Sequence, residues 1–321
     1  MRTVQRLFVG AVAIFVMVGF LTVEAKAEIK IGVLVFTKEN HYSDALSGIM
    51  DHLKKEGFAE PRVKFIIENA EGNKAKAAEF ARKFAADKLD MVMALGTSAA
   101  VAVVKEIKNA PIVFSMIYDP VEAQIVQDWK SSGNNATGSS NKMSMSQLLN
   151  TLKSLAPVKR LAVLYQANEK NSVSQLKDLQ EEQNNLQIKV IPVPITSKED
   201  LSGMLSEVVG AADAVYLAGG SIVGEMVPAI VDIASKAKMI TVSNLPERVE
   251  KGVLLGVCAN SYNVGLLAGE KAVKVLKGAK PSSVPIGTLS KFDVLVNTKT
   301  AKAAQIQISP AFLKAATKVI E

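Results

Sequence analysis

The chain has 321 residues, 49% of them hydrophobic, with a formal net charge of +7, one cysteine and two histidines. That is enough apolar material for one large or two medium cores. It excludes a disulfide framework, and a zinc set of the usual kind, because two separated histidines and one cysteine cannot supply four ligands.

The first residues read as an export signal. MRTVQR carries two arginines, LFVGAVAIFVMVGFL is an apolar run, and AKA at residues 25–27 is a small-x-small cleavage pattern. A membrane anchor is the rival reading of so long a run, and the cleavage pattern decides against it. No cysteine stands at the cleavage point, so no lipid anchor is expected. The leader holds Arg2, Arg6 and Lys26 against Glu24, so cleavage after Ala27 lowers the net charge from +7 to +5. Lysines and acids are interspersed beyond it without a basic block, which argues against nucleic acid as a partner. The expected location is the periplasm.

From Glu28 the chain alternates short β-branched runs with longer amphipathic ones. IKIGVLVF, VKFIIENA, DMVMALG and PIVFSMI are predicted strands; HYSDALSGIMDHLKKEG, NKAKAAEFARKFAADK and TSAAVAVVKEIKN are the helices between them. The strands are apolar throughout, as in a parallel sheet buried on both faces. DWKSSGNNATGSSNKMS, rich in Gly, Ser and Asn, reads as a linker. The pattern then starts again with RLAVLYQ, NSVSQLKDLQEEQNN, IKVIPVPI, SKEDLSGMLSEVVG, DAVYLAGG, MVPAIVDIASKAK and MITVSN. The segment VLLGVCANSYNVGLLAGEKAVKVLKG adds a strand and a long helix, and strand and helix finish the chain. Cys258 lies in an apolar run and reads as a buried small hydrophobe.

The two halves are one plan used twice. FTKENHYSD corresponds to QANEKNSVS, ALGTSAA to LAGGSIV, and SMIYDP to SNLPER, each following a strand. Ligands of open α/β sheets bind at the C-terminal ends of strands, so two facing lobes would line a shared cleft with these loops. The fold class is therefore α/β, two Rossmann-like doubly wound lobes joined by a hinge. The predicted lobes span residues 28–140, completed by about 258–282, and residues 141–257, completed by about 283–321.

Catalytic machinery is not found: no HExxH, CxxC, GxSxG or phosphate-binding glycine loop occurs. The candidate ligand-binding groups are uncharged. Thr97 and Ser98 open a helix after Gly96 and suit an anion at its positive end, with an N-cap role for Thr97 as the plainer reading. His41, Tyr42 and Tyr118 sit just beyond strands, where an aromatic side chain can stack on a flat solute. Asp119 before Pro120 reads as a turn starter. Asn168, Asn171 and Ser172 flank a helix start, where one caps and another meets ligand; Gly220, Ser221 and Asn244 complete the set.

Taken together, DMVMALGTSAA, PIVFSMIYDPVEA, NNATGSS, KRLAVLYQANEKNS, DAVYLAGGSIV and YNVGLLAGEKAVKVLKG resemble the periplasmic substrate-binding proteins of ABC transporters, in the tryptophan/tyrosine-type group. The resemblance implies a type I periplasmic-binding-protein fold, a hinged cleft and no cofactor. It implies a monomer that delivers a small aromatic or carboxylate-bearing solute to a membrane permease and its ATPase. Thr97 and Ser98 then fit the loop that receives a carboxylate, and Asn168, Asn171 and Ser172 the loop that faces it. A sensor presenting its ligand to a receptor kinase, or an exported α/β hydrolase, are the alternatives. One departure stands out: many relatives carry an aspartate after DAVYL, where this chain has Ala218, Gly219, Gly220 and Ser221. The expected solute either lacks a free α-amino group or pairs it with another acid.

Overall fold

In the computed structural model, residues 28–321 are described, apart from Asp200. The expected leader, residues 1–27, lies outside them. The first lobe runs β1 (Ile29–Val35), α1 (Asn40–Lys55), β2 (Val63–Asn69), α2 (Lys74–Ala86), β3 (Met91–Leu95), α3 (Thr97–Glu106), β4 (Ile112–Ile117) and β5 (Ala136–Ser140). The chain then crosses to α4 (Met145–Leu155), β6 (Arg160–Tyr165), α5 (Lys170–Leu186), β7 (Lys189–Pro194), α6 (Leu201–Val208), β8 (Ala214–Leu217), α7 (Ser221–Glu225), α8 (Val227–Lys236), β9 (Ile240–Ser243), α9 (Pro246–Glu250) and β10 (Leu255–Cys258). It returns as α10 (Ser261–Leu276) and β11 (Gly287–Thr288), and crosses once more to β12 (Asp293–Asn297), α11 (Thr298–Ala303), α12 (Pro310–Ala315) and β13 (Lys318–Ile320).

The first sheet has the order β11-β5-β4-β3-β1-β2, all parallel. Along β1, Ile31, Val33 and Val35 enter the core under α1 and α10, while Leu34 enters the opposite core, with Ala77, Ala81 and Phe84 of α2 and Ala99, Ala100 and Val103 of α3. Both faces are dry, which is why the strand shows no alternation. The second sheet has the order β13-β12-β10-β9-β8-β6-β7. It departs from an all-parallel plan at β12, which pairs antiparallel with β10. β11 still belongs to the first sheet, so the last crossing follows Thr288, later than the boundary expected near 283.

The predicted linker holds a strand. ATGSS forms β5, wholly buried, and each hydroxyl in it finds a partner: Thr137 Oγ1 donates to Val284 O at 2.7 Å, Ser139 Oγ lies 3.0 Å from Ser115 Oγ, and Ser140 Oγ donates to Tyr118 O at 2.7 Å. A Cβ on Gly138 would lie 2.1 Å from Phe114 O, so only glycine admits the neighbouring strand. Thr137→Val keeps the shape, strands the Val284 carbonyl and is expected to lower stability by about 1 kcal/mol in urea denaturation. An unchanged denaturation midpoint would count against that account of β5.

Three crossings make the hinge, the first bonded to an acid of each lobe and the second and third tied to each other. In the first, Lys142 Nζ lies 2.8 Å from Asp119 Oδ2 of one lobe and 2.9 Å from Asp178 Oδ2 of the other. In the second, Asn260 accepts from Asn263 N to cap α10 and donates to Asp293 Oδ2, just past the third, at 3.3 Å. Phe292, in the third, packs against the cores of both lobes. Among the described residues no helix is long and apolar enough to cross a membrane.

Candidate functional site

The C-terminal ends of the two sets of strands face each other. The loops after β1, β3, β4 and β5 supply one wall, and those after β6, β8 and β9 the other. Between them lies a narrow cavity of about 40 Å³, adjoining a wider one of about 400 Å³ that shares Thr37, Glu39 and Ser221. The inner space suits a few waters, so an organic solute enters only when the lobes part.

Of the predicted residues, His41, Tyr42, Thr97, Ser98 and Tyr118 line the inner cavity from the first lobe, and Asn171, Gly220 and Ser221 from the second. Thr97 is the first residue of α3 and not its cap. The cap position belongs to Gly96, at φ +97°, where a Cβ would lie 2.6 Å from the Tyr42 hydroxyl. With no side chain capping it, the first turn of α3 presents its N–H groups toward the cleft, where a carboxylate is stabilised by the helix dipole.

Asn168, Ser172 and Asn244 lie elsewhere. Asn168 lines an outer groove, and its carbonyl accepts from Lys74 Nζ across the cleft. Ser172 is fully buried, and its Oγ accepts from Gln166 N at 2.9 Å. It thus braces the end of β6 and does not reach solute. Asn244 is buried outside the cavity lining, with both amide atoms unpartnered. None of Asn168, Asn171 and Ser172 caps α5, contrary to the expectation that one of them does; that place belongs to Glu169, without a side-chain cap bond. Asp119 starts the expected turn, accepting from Val121 N and Glu122 N at 3.0 Å each.

The charged lining is what local reading of the sequence misses. Glu169 is buried and accepts from Ser98 Oγ at 2.9 Å, with Lys74 Nζ 3.4 Å away. His41 Nδ1 meets Glu247 Oε1 at 2.8 Å, and Tyr118 OH donates to Asp178 Oδ2 at 2.7 Å. All of these join one lobe to the other. Burial opposes charge on His41, but the Glu247 carboxylate, with Glu39 behind it, outweighs this and holds its pKa above the ordinary value. Burial works against Glu247 as well, and His41 with Arg248 carries its pKa below the usual carboxylate range. Burial, with Glu39 next, pushes the Tyr42 phenol well up, so it stays protonated.

Arg248, 1% exposed, is the anchor of the second wall. Its Nη1 donates to Leu217 O at 2.9 Å and Ala218 O at 2.7 Å, and its Nη2 to Gly220 O at 3.1 Å. Three amides, those of Gln166, Asn171 and Gln175, fill the space beside that turn. A Cβ on Gly219 would lie 2.6 Å from Asn171 Nδ2, and one on Gly220 would lie 2.4 Å from Gln166 Oε1. The loop that lacks the aspartate is thus packed by neutral amides and the Arg248 guanidinium, with no acid of its own, and the acids lining the inner cavity are Glu39 and Glu169.

The sequence model of the ABC transporter substrate binding protein family matches residues 30–320. The chain belongs to that family. It is 27% identical over 287 residues, 88% of this chain and 83% of the other, to a tyrosine-binding protein of Clostridioides difficile. It is similar in structure to an ABC domain in complex with L-Trp from Streptococcus pneumonia, with a TM-score of 0.86 and 29% identity over 92% of this chain and 100% of that one. A ligand-free, open substrate binding protein with adhesive properties from Clostridium difficile matches with a TM-score of 0.74 and 28% identity, covering 91% and 99%. The protein is thus a solute-binding component of an ABC transporter with the type I periplasmic-binding-protein fold, and these relatives are binding proteins. The lower score against the open relative agrees with the bonds that hold the lobes of this chain together across the cleft.

Proposed function

We propose that the protein captures a small α-amino acid with a flat side chain and hands it to a permease and ATPase, without chemical conversion. The bond from Ser98 to Glu169 carries this reading. It sets the Ser98 hydroxyl, at the start of α3, 2.9 Å from a buried carboxylate of the other lobe. An amino acid carries its carboxylate and ammonium on one carbon, so it can enter between them. Its carboxylate would take the N–H groups of Thr97 and Ser98, and its ammonium the Glu169 carboxylate. Tyr42, Tyr118, Phe36, Met116 and Leu245 offer apolar surface for the side chain. The names of the relatives, tyrosine-binding and in complex with L-Trp, support the same solute class. Of the two solutes left open by the missing aspartate, the one that pairs with another acid is thus favoured. Closure buries the solute and changes the surface presented to the permease, since the closed state is the one with differential affinity.

Titration calorimetry with L-Trp, L-Tyr and their deaminated acids tests the assignment. The amino acids are expected to bind at least about tenfold more tightly, ~1.4 kcal/mol, and Glu169→Gln to abolish that preference. Equal binding of the deaminated acids, or a preference that survives Glu169→Gln, would overturn the assignment of the ammonium.

A further inference from the structure

One cluster between the two cavities takes no part in that scheme. Glu39, His41 and Glu247 each offer a ligand atom, and these atoms all lie within 4.8 Å of one another. Glu39 and His41 come from the start of α1 in the first lobe, and Glu247 from α9 in the second. His41 and Glu247 are 4% and 3% exposed. Glu247 Oε1 is engaged by His41, but its other oxygen, Oε2, is buried without any hydrogen-bond partner. An ionised carboxylate oxygen left unmet in such a place is costly, and a proton shared with His41 does nothing for it. Glu39 Oε2 accepts from Thr37 Oγ1 at 2.9 Å, which turns that carboxylate without saturating it.

We propose that Glu39, His41 and Glu247 form a binding site for a divalent first-row metal ion that bridges the two lobes. One imidazole nitrogen and two carboxylate oxygens are a borderline donor set of the kind Zn²⁺ accepts, with water in the remaining position. Zinc–ligand bonds of about 2.0–2.2 Å place neighbouring ligand atoms ~3.3 Å apart, so the cluster needs only side-chain rotation to close on an ion. The ion takes the place of the proton between His41 and Glu247, and the orphaned oxygen gains a cation beside it. Two carboxylates match the charge of the ion, with the Arg248 guanidinium as a further cation nearby. The neighbouring Arg248 directs its guanidinium to the carbonyls of Leu217, Ala218 and Gly220. The wider cavity, lined by Glu39 and Glu247, gives a route from solvent. Because the ligands come from both lobes, the site is complete only in the closed protein. Ion and solute then raise each other's affinity by the same factor.

Metal-stripped protein without solute is titrated with Zn²⁺ by calorimetry and native mass spectrometry, with Co²⁺ absorption reporting geometry. One ion per chain is expected, with Kd of about 10 µM or tighter. Glu247→Gln and His41→Asn should each weaken it at least about tenfold. Glu71→Gln, at an acid of the same wider cavity already paired with Lys38 and Lys76, should leave it unchanged. Thermal melts monitor folding, and Glu39→Gln replaces either variant that does not fold. No stoichiometric binding, binding that persists in the cluster variants, or equal loss in Glu71→Gln would each overturn the site. None of these outcomes bears on the solute, which is measured separately.

Discussion

Arg248→Ala is expected to lower the unfolding free energy by about 3 kcal/mol and solute affinity at least about tenfold. The guanidinium is buried and fastens three successive parts of the turn between β8 and α7 through Leu217, Ala218 and Gly220. Alanine would leave the Ala218 carbonyl unmet, take one of two donors from Leu217 O and Gly220 O, which keep Ser243 Oγ and Gly224 N, and remove the cation beside Glu247, so the wall and the charge balance behind it weaken together. Lysine keeps the charge but not the planar fork, and Arg248→Lys should recover less than half of the loss. Urea denaturation and calorimetry on the same preparations check both numbers. Stability within about 1 kcal/mol of the parent, with solute affinity intact, would mean that the turn holds itself.

Gly265→Ala should cost about 3 kcal/mol, although it adds a single methyl to a helix. α1 and α10 approach so closely that a Cβ on Gly265 would sit 2.0 Å from Ala45 O, and one on Gly48 would sit 2.2 Å from Tyr262 O. Both obstacles are backbone, which cannot swing aside as a side chain can, so the helices must separate and leave the core behind them underfilled. Gly48→Ala is expected to behave alike. Gly203→Ala in α6 provides the contrast. Nothing lies within 4 Å of that position, so the usual gain from removing a helical glycine, roughly 0.5–1 kcal/mol, should appear. If all three substitutions moved the denaturation midpoint in the same direction, close helix approach would not be the cause.

How much of this could be read in advance depends on how local each signal is. The apolar strands and intervening helices are local, and their repetition makes two lobes legible without a template. β5 hides because burial rests there on small residues and on hydroxyls satisfied by distant carbonyls, so its composition imitates a loop. α4 falls just beyond, where no element is predicted, although Leu148, Leu149 and Leu152 put it in the core. The reversed direction of β12 depends on a third crossing that no periodicity announces.

The cleft divides along the same line. Hydroxyl and aromatic groups next to strand ends, such as Thr97, Ser98 and Tyr42, can be picked out from position alone. Glu39, Glu169 and Arg248 look like ordinary surface charges in sequence. Glu169 becomes sensible as a buried acid only when the other lobe brings Ser98 and Lys74, as Glu247 does for His41 from 206 residues away, while Arg248 is met by carbonyls of its own lobe about thirty residues earlier in the chain. Ser172 deceives in the opposite sense, because a helix-start serine suggests an outward cap while its hydroxyl turns back to Gln166 N.

The pairing of α1 with α10 also sets an order of events in making the protein. The first lobe contributes β1 through β5 early, yet α1 covers only part of one face of its sheet until Ser261–Leu276 has been synthesised. Val264, Ala268 and Ala272 join Ile31, Val33, Met91 and Met93 in that core, so a nascent chain lacking them exposes an apolar surface and cannot finish either lobe on its own. Completion of that core is thereby deferred until the chain has grown to Leu276 of its 321 residues. For a family whose members work outside the cytoplasm, a chain that stays incomplete until late is a chain that can still be threaded.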